Sequence, residues 1–335
     1  MTNRIVGRPN QRMLREDVMA KLNGNGSRIA QGVTAGMAIA IIFFGMSRAL
    51  LAAEPRQMTF SSPEQAIDAL VEASRTGKIG ELEKILGASG RSLIISGDRI
   101  ADRNGREKFV SDYFEKHEID KESDEKAILM VGTDDWPFPI PLVSSGKTWY
   151  FDTQAGADEI LNRRIGKNEL NALQVSAAIV DAEHIYASKD RTGSGYVEYA
   201  PKFMSTAGKR DGLFWPAVDD DVSPIGPLVA SARAEGYGAK GVSAKRAPYH
   251  GYFYRILKQQ GPDAPGGAYS YVVNGHMIGG FALTAFPAKW GDSGVMTFIV
   301  SQDGMIYEKN LGPNTAAIAE KMVTFNPDSG WKRHQ

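Results

Sequence analysis

Apolar residues recur with helical spacing in two segments of the chain. The first begins at Ser62 and Pro63, which have the residue types of a helix N-cap and first turn, and Gln65 stands where a capping-box partner belongs. Apolar side chains then follow at intervals of three and four through residues 66–71. This pattern predicts a helix that ends near Arg75.

The second helical segment spans residues 155–189, with a weak point at Gly166. A long helix with a single apolar face needs a sheet to cover that face. Downstream residues supply alternating and β-branched segments that predict such a sheet. The apolar stripe consists of Val175, Ala178, Ile179, Ala182, Ile185 and Tyr186. The predicted strands are 251–257, 269–274, 276–286, 295–301 and 305–309, and a further helix covers 228–235.

The residues between the two helical segments mix short elements of both kinds. Their patterns predict helices over 80–86 and 103–117, strands over 92–96 and 126–131, and a hairpin over 142–152 that turns at Gly146. Strands that follow a long helix without regular alternation indicate an α+β protein rather than a parallel sheet. We expect an N-terminal α+β domain over 54–153 and a C-terminal α+β domain over 154–332.

Prolines occupy alternate positions of the segment Trp136–Pro141. Because proline has no backbone N–H, three prolines on one side of an extended segment prevent strand pairing along that side. The sequence predicts an edge strand that pairs only with the return strand of the 142–152 hairpin. The same spacing predicts that Trp136, Phe138 and Ile140 share the opposite face.

The N-terminal 53 residues have the organisation of a secretory signal peptide. A basic segment precedes the apolar stretch 29–53, which ends in small residues suited to cleavage after Ala52 or Ala53. Met13 or Met19 could serve as the start. The alternative is an uncleaved inner-membrane anchor, although Arg48 interrupts the apolar run. The prediction is a periplasmic or secreted protein if the segment is cleaved, and an anchored one if it is retained.

Charge and cysteine content exclude several functional classes. The chain has 39 basic and 39 acidic residues, and residues 1–53 hold seven of the basic and two of the acidic ones. The remaining chain therefore carries 32 basic and 37 acidic residues, a net charge of −5, which disfavours nucleic acid as a partner. Cysteine is absent, so there is no disulfide framework, thiol nucleophile or cysteine-ligated metal.

Six segments of the chain have a familiar combined pattern: 134–142, 159–170, 210–216, 248–255, 279–283 and 293–298. Together they resemble a bacterial family of exported proteins, the domain-of-unknown-function family 2950, over nearly all of residues 58–332. The resemblance implies bacterial origin and an envelope location and assigns no activity. The helix 175–188 and the closing hairpin 298–306 are also similar to the globular part of type IV pilins and pseudopilins.

One loop has oxygen-bearing residues in the arrangement of a calcium loop. Asp190, Thr192 and Ser194 alternate, Gly195 supplies a sharp turn and Glu198 follows. Asp190 and Glu198 are therefore candidate calcium ligands. The position of the usual bidentate glutamate holds proline, which favours a simple helix-ending loop without a cofactor.

Three residues are candidates for catalysis. His250 lies in a Gly-rich aromatic stretch and could act as a general acid or base, while a structural role fits the same pattern. Ser293, in Gly-Asp-Ser-Gly, has the local sequence of a serine nucleophile but lacks the flanking motifs. Asp134 could supply a carboxylate, and turn or cap roles compete with that function.

Aromatic residues crowd the first two predicted strands of the C-terminal sheet, at Tyr249, Tyr252, Phe253, Tyr254, Tyr269 and Tyr271. Burial on both faces of the sheet explains them, and the alternative is a binding surface for peptide or glycan. From the sequence we expect a non-enzymatic protein-interaction or scaffolding role with other envelope proteins. The alternatives are a small-ligand-binding protein and a hydrolase that acts on an envelope polymer.

Overall fold

The first helix begins where the sequence predicts it. The computed structural model describes residues 57–217, 221–238 and 247–334, so the predictions on the N-terminal 53 residues lie outside the described chain. Helix α1 spans Pro63–Arg75, and the Ser62 hydroxyl accepts a hydrogen bond from the Gln65 N–H at 3.3 Å. The Gln65 side chain accepts a hydrogen bond from the Ser61 hydroxyl instead of closing a capping box.

The helices that follow are of very different length. Helix α5 spans the 34 residues Thr153–Tyr186; its N-cap is Asp152, whose carboxylate accepts from the Ala155 N–H, and its C-cap is Ala187. Its buried residues include Val175, Ile179 and Tyr186 of the predicted stripe, whereas Ile185 is exposed. The other α-helices are α2 (Ile79–Leu86), α3 (Arg91–Ile94), α4 (Arg99–Glu115), α6 (Gly226–Ala234) and α7 (Thr315–Lys321).

An antiparallel sheet follows α4. In this sheet β2 pairs with β1 along one edge, and with β3 and β4 along the other, while β5 pairs with β4. The predicted hairpin with its turn at Gly146 corresponds to β4 and β5. The strands are β1 (His117–Ser123), β2 (Lys126–Val131), β3 (Trp136–Pro137), β4 (Leu142–Ser145) and β5 (Thr148–Phe151).

Strand β3 of the proline segment pairs along one side, as predicted for an edge strand, but the predicted partner is wrong, because β3 pairs with β2 and not with the return hairpin. Trp136 pairs with Val131 of β2, and the Phe138 N–H donates to the β2 carbonyl of Leu129 at 2.7 Å. Among the described strands, none besides β2 pairs with β3. A turn at residues 132–135 reverses the chain directly after β2, so the proline segment runs antiparallel to β2. Ile140 is buried, while Trp136 is exposed.

Two further elements differ from the prediction. Residues 92–96 are not a strand, because Arg91–Ile94 forms a short helix that buries Ile94. The three-residue apolar run at 93–95 fits a short helix and a strand equally well. Strand β1 was not predicted, since six of its seven side chains are exposed and it lacks the alternation that a half-buried strand shows.

The C-terminal sheet has the strand order β12-β11-β10-β9-β6 with antiparallel pairing throughout, and α5 packs on β6, β9 and β10. The predicted α+β class is confirmed. The predicted strand 276–286 begins later, at Ala282, and 269–274 is reduced to two residues. The strands are β6 (Tyr252–Leu257), β7 (Gln259–Gln260), β8 (Tyr269–Ser270), β9 (Ala282–Pro287), β10 (Met296–Ser301), β11 (Ile306–Asn310) and β12 (Lys332–Arg333).

Two large clusters of buried apolar residues stabilise the described chain. One lies between α1, α2 and the first sheet, with Leu129 and Phe151 fully buried. The other lies between the second half of α5 and the second sheet, with Trp215 and Phe281 fully buried. The division into domains at residue 153 stays a prediction. Among the described helices, none is both long and apolar enough to cross a membrane.

Candidate functional site

His250 lies in a tight turn that leads into β6. Tyr249 and Tyr252 exchange two backbone hydrogen bonds, of 2.9 and 3.1 Å. The two residues between them, His250 and Gly251, have φ values of 50° and 76°. Such a pair forms the type I′ hairpin turn, which requires positive φ at both central positions. A histidine in this conformation is uncommon, and strained residues of this kind cluster at functional sites.

The His250 turn forms one wall of a cavity of about 240 Å³ that opens to solvent. The other walls are one face of α5 and one face of α6, so three separate elements converge on the cavity. Most groups on its surface are polar. Helix α5 contributes Asn171, Gln174 and Val175, helix α6 and its C-cap contribute Leu228, Ser231 and Glu235, and the turn contributes Tyr249 and His250.

Glu235 connects the two turn residues in the cavity wall. Its Oε2 lies 3.4 Å from His250 Nε2, and its Oε1 accepts a hydrogen bond from the Tyr249 hydroxyl at 3.2 Å. Burial lowers the pKa of His250, and the carboxylates of Glu235 and Asp98 only partly oppose this effect. The imidazole is therefore neutral at pH 7. Burial and the Glu235 carboxylate raise the pKa of Tyr249 to about 12, so its phenol stays protonated.

The Asp98 carboxylate fixes the position of the His250 turn. Its side chain is buried, and its Oδ2 accepts hydrogen bonds from the Tyr237 hydroxyl at 2.8 Å and the Gly251 N–H at 2.9 Å. Its Oδ1 caps helix α4 by accepting from the Ile100 N–H at 3.1 Å. The Tyr237 hydroxyl in turn accepts from the His250 N–H at 3.3 Å. One carboxylate thus fixes the helix start, the tyrosine and the turn together.

The structure places the other two catalytic candidates in structural roles. The Ser293 hydroxyl is fully buried, donates to the Lys289 carbonyl at 3.1 Å and accepts from the Lys289 N–H at 2.9 Å. A Cβ on Gly251 would lie 3.2 Å from Ser293 Cβ, so this serine packs beneath the turn, away from the cavity surface. Asp134 is exposed in the β2–β3 turn and does not line the cavity.

The carboxylates of the candidate calcium loop are bonded to their own loop. The Asp190 carboxylate accepts backbone N–H groups from residues 192–195, and these bonds lower its pKa. Glu198 is buried and accepts from the Thr192 hydroxyl at 2.8 Å, while His276 lies 3.2 Å from its other oxygen. Within the described ranges no three His, Cys, Asp or Glu side chains are grouped to hold a metal ion. Calcium binding stays a prediction.

Sequence reasoning missed Asp98, Glu235 and Tyr237 as parts of the site. Asp98 has the residue type of an N-cap, but the predicted strand 92–96 and the late helix start at 103 hid the true beginning of α4. Its partners Tyr237 and Gly251 are 139 and 153 residues away in sequence. No local pattern could indicate that proximity.

Comparison with known proteins identifies a family and no activity. No curated protein and no solved structure matches the chain. The model of the family described as "Protein of unknown function (DUF2950)" matches residues 57–334, a range that includes every described residue. The match covers both sheets, helix α5 and every residue of the cavity. The chain therefore belongs to the DUF2950 family.

Proposed function

We propose that the protein is an exported envelope protein that binds a small polar ligand in the cavity beside His250. The observation that carries this proposal is the strained His250 turn, which Asp98 and Tyr237 hold against a polar cavity. Strain of this kind persists where the surrounding structure over-determines it, and small-ligand sites are concave with a few convergent polar groups. The apolar segment 29–53, with its small-residue end, supports export to the periplasm.

Binding has more support than hydrolysis. A hydrolase would need an activated nucleophile within reach of a base. Of the three catalytic candidates, His250 lines the cavity, whereas the Ser293 hydroxyl is bonded to Lys289 and Asp134 lies in the other sheet. A neutral imidazole and two side-chain amides, Asn171 and Gln174, suit hydrogen bonding to a ligand.

We expect His250→Asn to abolish ligand binding while the protein stays folded. Asparagine tolerates positive φ, so the turn is retained while the imidazole is removed. Binding is measured by NMR, as shifts of the Asn171 and Gln174 side-chain amides when glucose, N-acetylglucosamine, glutamate or putrescine is added at millimolar concentration. The matched control is His334→Asn, because His334 also pairs with a glutamate, Glu308 at 2.9 Å, but lies outside the cavity.

Two results would contradict the proposal. One is that no probe shifts either amide in the wild-type protein. The other is that His250→Asn binds the probes as well as His334→Asn does. Circular dichroism and thermal unfolding of both variants distinguish lost binding from lost folding.

A protein-interaction role is a second candidate, and an exposed apolar patch favours it. The patch consists of Tyr196, Val197, Val273 and Ile278, each more than 40% exposed. The Tyr196 ring lies 4.6 Å from the ring of His276, which exchanges backbone hydrogen bonds with Val273. The predicted similarity to pilins fits such a role, because α5 against an antiparallel sheet is the architecture that the similarity implies. Contiguous exposed apolar surface is typical of contact sites.

The interaction role predicts a stoichiometric partner that depends on the patch. Cross-linking in intact bacterial envelopes, with a tag on the chain, should capture that partner with the wild-type protein and lose it with Val197→Ser/Ile278→Ser. Ile318→Ser, at an exposed residue of α7 outside the patch, is the control and should retain capture. Equal capture by both variants would contradict the role of the patch.

A further inference from the structure

We infer that the ligand of the His250 cavity is a neutral, hydroxyl-rich molecule, namely a single saccharide unit. This inference rests on the proposed ligand-binding function and specifies its chemical class. Three features of the cavity carry it: the charges of its walls, the bonding capacity of its uncommitted side chains and its volume.

The charges of the walls disfavour ionic ligands. Among the described residues that line the cavity there is no lysine or arginine, so this part of the wall offers no cationic partner to a phosphate or carboxylate. The nearby Lys167, which acts on His250 through space, is exposed and does not line the cavity. Glu235 carries the negative charge of the wall, and its two oxygens already face the Tyr249 hydroxyl and His250 Nε2. An ammonium group would have to compete with both.

The uncommitted side chains can both donate and accept hydrogen bonds. Asn171 and Gln174 lie three residues apart on α5, so they project from the same face. Among the described residues neither amide has a hydrogen-bond partner. Each offers one acceptor oxygen and two N–H donors, and a ligand hydroxyl can satisfy both kinds at one atom. An ammonium can only donate and a carboxylate can only accept, whereas neighbouring hydroxyls of a sugar ring match mixed donors and acceptors.

Apolar surface completes the match. Val175 of α5 and Leu228 of α6 also line the cavity, so two aliphatic side chains lie beside its polar groups. A sugar ring presents C–H groups beside its hydroxyls. The cavity volume of about 240 Å³ corresponds to roughly eight water molecules at about 30 Å³ each. This volume suits one ring and is below the 300–1,000 Å³ that is typical of drug-sized ligands.

The test compares neutral and charged probes of similar size on the full chain. We expect N-acetylglucosamine or glucose to shift the NMR signals of the cavity side chains, and glutamate and putrescine to shift them less. Asn171→Ala and Gln174→Ala should each weaken saccharide binding about 3- to 10-fold, the loss expected for one neutral hydrogen bond. Asn162→Ala is the control, because Asn162 is exposed on α5 and does not line the cavity.

The outcomes separate this inference from the proposed function. Tighter binding of glutamate or putrescine than of either saccharide would overturn the saccharide class and leave ligand binding intact. Saccharide binding that Asn171→Ala and Gln174→Ala leave unchanged would overturn the assigned contacts. Binding of no probe to the wild-type chain would overturn both the inference and the proposed function.

Discussion

Glu183→Gln is expected to stabilise the protein by about 3–5 kcal/mol at pH 9 and to change its stability little at pH 4. Glu183 is fully buried on α5. One carboxyl oxygen accepts the Ala200 N–H at 2.8 Å, and the other has no hydrogen-bond partner among the described residues. Burial raises the pKa of Glu183 to about 8, so the folded protein holds it protonated at pH 7.

The direction of this pH dependence follows from proton binding by Glu183 in the folded and unfolded states. Between its ordinary pKa of 4.5 and about 8, Glu183 is protonated in the folded state and ionised in the unfolded state. The folded state therefore binds one more proton, and the free energy of unfolding falls as pH rises through this window. Below the window both states are protonated, and above it both are ionised, so the contribution becomes constant. Glutamine keeps the acceptor for Ala200 and removes this titration.

Urea unfolding of the wild type and Glu183→Gln at several pH values between 4 and 9 measures the effect. Other groups titrate in both proteins, so the difference between their two pH profiles isolates Glu183. Glu159→Gln removes the same charge from an exposed position of α5 and is the matched control. Parallel pH profiles for the wild type and Glu183→Gln would show that the buried acid does not titrate in this window.

Asp98→Ala is expected to lower the free energy of unfolding by about 3–7 kcal/mol. Loss of the N-cap of α4 costs about 1 kcal/mol, and the Tyr237 hydroxyl and the Gly251 N–H each lose a buried acceptor at about 1–3 kcal/mol. The same change should release the His250 turn. We therefore expect it to broaden or shift the NMR signals of the His250 imidazole under native conditions.

The matched control for Asp98→Ala is Ser62→Ala, which removes the N-cap of α1 at a site where water replaces the lost bond. We expect that variant to lose about 1 kcal/mol or less. If chemical denaturation gave equal losses for the two variants, the bonds from Asp98 to Tyr237 and Gly251 would not contribute to stability. Asp98→Asn should fall between them, since its amide keeps one oxygen as acceptor but turns a donor toward other donors.

Sequence pattern over a few neighbouring residues was sufficient to predict the elements that have capping residues or a regular periodicity. Ser62 and Pro63 mark the start of α1, the period of three and four marks α5, and alternation marks the hairpin of β10 and β11. These signals depend on neighbours within a few residues, which is why the α+β class could be predicted. The pattern was insufficient at residues 92–96, where a short apolar run fits a helix and a strand equally well.

The candidate site was only partly accessible to sequence. His250 could be singled out by its residue type and its aromatic surroundings, whereas its partners could not. Glu235 lies 14 residues before Tyr249 and Asp98 more than 150 residues before Gly251, so chain folding alone brings them together. Residue type also suggested Ser293 and Asp134 as catalytic candidates. In the structure Ser293 is bonded to Lys289 and Asp134 lies in the β2–β3 turn.

Sequence pattern alone was enough to predict the fold class, the two main helices, the family and a titratable residue in a Gly-rich aromatic stretch. Folding places this residue at a polar cavity, brings Asp98 to its strained backbone and buries Glu183 with one carboxyl oxygen unpaired among the described residues. The physical reason is that periodicity and capping are local properties of the chain. Burial, pKa and hydrogen-bond partnership depend on segments that meet only after folding.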